Sequence, residues 1–159
     1  MFELVVFLAC RRAAPEGSRG PGATLRLPYT LEGVSYTFQI DDPAAEPPFG
    51  LDEVWLYLRF FRRRGTGFAT RELGLRVLAV NPDGSRSVVP HPVGSRSPFR
   101  LGRIPFPAHQ PAVSWPVPVR NLLLPSRGQY EFRLLVRRRK LTWGGKRWAY
   151  VGSHYIVLE

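Results

Sequence analysis

Apolar side chains recur at every second position over long stretches of this chain, and that spacing confines it to β-structure before anything else is considered. Leu25, Leu27 and Tyr29 alternate with Arg26 and Pro28, and Val34, Tyr36, Phe38 and Ile40 alternate with Ser35, Thr37 and Gln39. Successive side chains of an extended strand point to opposite faces, so a period of two marks a strand with one buried side. The interruption at Glu32-Gly33 suggests a strand pair with a tight turn. The same spacing returns at Leu73, Leu75, Val77 and Ala79, and again at Tyr130, Phe132, Leu134 and Val136. No window carries a capped helical period, although 49–62 has room for a short helical turn.

Punctuation between these runs supports the same reading. Asn81-Pro82-Asp83-Gly84 is strong turn chemistry, because Asp-Gly tolerates positive φ, and a hairpin to Ser87-Val88-Val89 follows naturally. Val54 to Phe61 has almost no polar face, which predicts a central strand or one covered on both sides. Phe2 to Ala9 reads as a first strand; Glu3 sits where a signal peptide needs positive charge, and Arg11-Arg12 follow the apolar run instead of preceding it. Residues 14–23 form a loop by composition. Residues 90–118 carry eight prolines, which limit strands there to edges or short pieces such as Phe99-Arg100-Leu101 and Val113-Ser114-Trp115. Val117 to Leu124 and Tyr130 to Val136 are two strands joined by Pro125-Ser126-Arg127-Gly128, and the last strand runs through Trp148 and Tyr150 to Ile156 and Val157. The sum is one domain over 1–159 with long loops at 14–23 and 90–118. Its predicted architecture is an antiparallel β-sandwich of about eight to ten strands, immunoglobulin-like or jelly-roll-like.

Charge narrows the partners more than the fold. Lys and Arg total 23 against 12 acids, a formal charge of +11, and only Lys140 and Lys146 are lysines. Arginine grips phosphate bidentately and stacks on rings, which invites a polyanion; the accompanying Pro, Gly and Ala excess is also what a GC-rich genome encodes. Two runs stand out, Arg62-Arg63-Arg64 and Arg137-Arg138-Arg139-Lys140, each ending a strand-like segment. Such runs read first as a solvated rim, and the reading shifts toward binding if the two meet in space. The apolar content is ample for a core, and no run of about 18 apolar residues is present to span a membrane.

The strand ending in Ala9-Cys10, the aromatic strand Val54–Phe61, the Asn81-Pro82-Asp83-Gly84 hairpin and Leu124-Pro125-Ser126-Arg127-Gly128-Gln129-Tyr130-Glu131-Phe132-Arg133-Leu134 together resemble a family of small uncharacterised bacterial β-sandwich proteins, a domain of unknown function. The resemblance implies a sandwich fold and no activity. Members of that family are leaner in arginine and shorter in loops, so 14–23 and 90–118 depart from its pattern. A Gly-x-Tyr-x-Phe entry such as Gly128 to Phe132 lets the tyrosine bond back to the preceding corner while its ring fills the core.

Reactive chemistry has few candidates. His91, His109 and His154 lack metal-ligand spacing, and a zinc site built from all three is the minor reading. Cys10 ends an apolar strand and reads as a small buried hydrophobe. Asp41-Asp42 fits a solvated strand tip better than calcium binding, which takes six or more oxygens. No nucleophile elbow, P-loop or dinucleotide fingerprint is present. Trp55 and Trp115 read as core. Trp143 follows the second basic run in a Gly-rich turn, so Arg137, Arg138, Arg139, Lys140, Trp143, Lys146 and Arg147 form the one candidate interaction surface. The sequence therefore predicts a non-catalytic, cofactor-free interaction or structural module that binds a protein or itself. Nucleic acid or another polyanion at the 137–147 hairpin is the alternative, and a carbohydrate-binding or loop-sited enzyme comes third. No targeting signal is evident, which makes the cytoplasm the default location.

Overall fold

A computed structural model describes residues 2–15, 29–32, 34–62, 69–90, 98–106, 110–139 and 146–159. Eleven strands and no helix occur among them: β1 (Phe2–Cys10), β2 (Arg12–Pro15), β3 (Tyr29–Glu32), β4 (Thr37–Phe38), β5 (Phe49–Arg62), β6 (Ala69–Val80), β7 (Arg86–Val88), β8 (Phe99–Phe106), β9 (Ala112–Leu124), β10 (Gly128–Arg139) and β11 (Lys146–Leu158). A three-stranded sheet in the order β1-β5-β9 faces a six-stranded sheet in the order β4-β11-β10-β6-β7, with β8 also paired to β6. Strands β2 and β3 form a small separate ribbon. All pairings are antiparallel except β4 with β11. The expected sandwich is the observed fold.

The dyad pattern places the core. Along β5 the inward Val54, Leu56, Leu58 and Phe60 are buried, and they meet Leu73, Leu75, Phe132, Leu134 and Ile156 of the larger sheet in one cluster. Burying each such side chain contributes roughly 1.5–3 kcal/mol, which makes this interface the main source of stability. β5 is the middle strand of its sheet, as its missing polar face predicts, and it is extended throughout, so the short helical turn considered for 49–62 is absent. Trp55 corrects the expectation of a core residue. It alternates outward with Tyr57 and is half-buried, while Trp115 does pack against the core.

Two further differences have physical causes. The strands expected to pair across Glu32-Gly33 go to different partners. Tyr29–Glu32 returns to Arg12–Pro15, whereas the Thr37–Phe38 segment crosses to β11, where Glu159 N donates to Phe38 O at 2.9 Å and Ile40 N to Glu159 O at 2.9 Å. Alternation identifies a strand but not its neighbour. Within 90–118, expected as loop and short pieces, lie all of β8 and half of β9. Pro116 and Pro118 are accommodated because β9 is an edge strand, where a residue without an N–H fits on the unpaired side.

Burial on β9 runs through Val117 and Val119, then resumes at Leu122 and Leu124. The phase changes at Asn121, which has φ of 55°. Only glycine and, next best, asparagine adopt this left-handed conformation readily. Asn121→Val is expected to lower stability by about 1–2 kcal/mol and Asn121→Gly to leave it nearly unchanged, as read by urea denaturation.

Candidate functional site

The outward side of the six-stranded sheet is where charge and rings concentrate. Residues directly opposite in an antiparallel ladder share a face. The register pairs Glu131 with Tyr155, Arg133 with Ser153 and Arg76, and Arg137 with Trp148. Across β6, Glu72 stands opposite Arg103 and Gly74 opposite Arg100. Six arginines, Arg76, Arg86, Arg100, Arg103, Arg133 and Arg137, thus share this face with two acids, Glu72 and Glu131.

Both acids are locked in place. Glu131, with 4% of its side chain exposed, accepts from Arg133 Nε at 2.7 Å and Nη2 at 3.0 Å and from Arg86 Nε. The hydrogen bond from Arg133, reinforced by Arg86, holds its carboxyl below the usual range against the opposing effect of burial. Arg86 Nη2 also donates to the Tyr155 hydroxyl at 3.3 Å. Glu72 accepts from Arg137 Nη1 at 2.9 Å and lies 3.4 Å from Arg100 Nε; the Arg137 bond holds its carboxyl low as well. Stability from these two groups is complete above the ordinary value of 4.5 and is lost as pH falls through their lower folded values.

Rings complete the surface. Trp148 lies across the sheet, its ring 2.9 Å from where a Cβ on Gly74 would stand, and the Arg137 guanidinium sits 5.8 Å from its centroid. Tyr150 is 59% exposed and bonds Ser153 Oγ at 3.2 Å; Tyr155 is 37% exposed. An extra residue on β11 opposite the Leu134/Leu135 step keeps both tyrosines on this side.

The structure separates the basic hairpin singled out in the sequence. Arg137 is engaged by Glu72 and Trp148 and belongs to the sheet face. In the backbone register Arg138 stands opposite Arg147 and Arg139 opposite Lys146. Lys140 and Trp143 lie outside the described residues. Arg62 ends β5 at the same end of the sandwich, where Phe60 meets Phe106 edge-on at 5.4 Å and Phe106 pairs with Ala69. Arg63 and Arg64 lie outside the described residues. The pattern of charge was legible in the sequence; the sheet face was not, because Glu72, Arg86, Arg100, Arg133 and Tyr155 are distant in the chain and only the register brings them together.

The other groups weighed for chemistry are held in structural contacts. The Cys10 thiol is buried and donates to Trp55 O at 3.6 Å. Asp42 Oδ1 accepts from Ala44 N at 2.9 Å in a local turn, and Asp41 is exposed. Among the described residues no three His, Cys, Asp or Glu side chains are grouped to hold a metal, and His91 and His109 fall outside them.

His154 is buried between the rings of Phe7 at 5.7 Å and Tyr36 at 5.1 Å, and its Nε2 has no partner among the described residues. Burial lowers its pKa. The unfolded chain takes up the proton first, so stability is full above the ordinary value of 6.5 and declines as pH falls below it, levelling off under the folded value. Urea midpoints are expected to drop between neutral pH and the onset of carboxylate titration, and His154→Phe is expected to flatten that slope.

These features define an all-β sandwich with a cationic, ring-bearing sheet face. No protein-family model, curated protein or solved structure matches the chain. Among the described residues no helix is long and apolar enough to cross a membrane.

Proposed function

We propose that the protein is a non-catalytic interaction module of the cytoplasm that engages its partner across the outward face of the six-stranded sheet. The observation that carries this reading is the double clamp on Glu131 and Glu72. It ties four of the six arginines, Arg86, Arg133, Arg100 and Arg137, to two acids in a fixed array instead of leaving a set of mobile surface charges. Geometry fixed before binding lowers the ordering cost of association.

Chemical-shift mapping of the isotope-labelled full chain tests it, with heparin, polyglutamate, oligothymidylate and maltohexaose as probes. At least one probe is expected to shift Arg86, Arg133, Tyr150 and Tyr155 together. Shifts confined to loops, or none with any probe, would overturn the assignment of this face.

A further inference from the structure

We infer that the partner of this face is single-stranded nucleic acid, with bases stacked on β11 and phosphates held by the arginines of β7, β8 and β10; this rests on the reading of the face as the interaction surface. Charge complementarity comes first. The two acids are already satisfied, so what the sheet offers outward is guanidinium: Arg100 is 70% exposed at its side chain, Arg86 40%, and Arg103 is exposed. An extended anion fits such a surface, and a neutral sugar would leave it uncompensated.

The rings then choose among anions. Tyr155 and Tyr150 lie on one side of one strand, opposite Glu131 and Leu135. Four residues of β10 separate those rungs, which places the tyrosines roughly 13 Å apart along the sheet. Polyphosphate has no ring to lay on them and a sulfated sugar offers only a puckered C–H face, whereas every nucleobase has a planar π-face. A duplex hides its base faces in the stack, so the match is to an unpaired strand. A protein partner is the weaker fit because protein interfaces deplete charge at their centre, and here the centre is the Arg86–Glu131–Arg133 clamp. By strand alternation the Arg139↔Lys146 rung continues the register of this face beyond Arg137 and Trp148.

Fluorescence anisotropy of the full chain with labelled oligothymidylate and oligouridylate tests this. Binding is expected at about 50 mM salt and is expected to weaken linearly on a log–log plot, with a slope of roughly −3 for about four phosphates. Tyr150→Ala and Tyr155→Ala are each expected to weaken binding about tenfold with an unchanged circular dichroism spectrum. Arg100→Ser with Arg103→Ser is expected to shallow the slope by about 1.4. Affinity insensitive to both tyrosines, with heparin binding equally well, would mark a general polyanion site and overturn the nucleic-acid assignment. No binding of either oligonucleotide at low salt would overturn it too. If heparin or polyglutamate still shifts the face in that case, the interaction surface stands and only its partner changes.

Discussion

Tyr130→Ala is expected to lower the stability of this protein by about 4 kcal/mol, enough to leave a domain of this size marginal or unfolded. The tyrosine is 1% exposed and stands at the corner where the chain leaves β9 in one sheet and enters β10 in the other. Its hydroxyl donates to Ser126 O at 2.6 Å and accepts from Ser126 N at 3.2 Å, so it closes the Pro125–Gly128 turn from below. Its ring sits in the core cluster with Phe132 and Ile156. Tyr130→Phe separates the two roles. It keeps the ring and removes the tie, and because Ser126 is exposed to water the expected loss is only about 1 kcal/mol. A urea titration of both variants gives the partition; equal losses would show that the corner, not the core, is the dominant part.

Gly74→Val is expected to destabilise by about 2–3 kcal/mol, although valine is intrinsically the better strand residue. A Cβ there would stand 2.9 and 3.0 Å from two ring atoms of Trp148 and 3.1 Å from Pro98 Cγ. The tryptophan cannot lift without losing its packing beneath Arg137. In a Trp148→Leu background most of the penalty is expected to vanish, giving a coupling of about 1–2 kcal/mol in a double-mutant cycle. Additive losses would mean that Pro98 and the backbone, not the indole, set the limit.

Both predictions mark where the sequence could be read and where it could not. The corner was legible because Gly128-x-Tyr130-x-Phe132 is local and its physics needs only a turn and a strand start. The hairpin at Asn81–Ser85 was legible for the same reason; Asn81 N donates to Ser85 O and Gly84 carries φ of 80°. Gly74 beneath Trp148 was not, since nothing local to Gly74 signals that an indole so far along the chain will cross the sheet there. The partners of 29–40 were missed because alternation fixes which side chains turn inward and leaves pairing open. The basic hairpin was recognised by its composition, but its first arginine proved to be part of a larger surface assembled through register.

The prolines of β9 have a consequence for how molecules meet one another. A strand bordering solvent ordinarily tempts a neighbour to zip onto it, and such zipping is how filaments begin. Pro116 and Pro118 strip two amide hydrogens from that margin. Runaway polymerisation through the smaller sheet is thereby discouraged by covalent chemistry alone, whatever the concentration at which the protein accumulates.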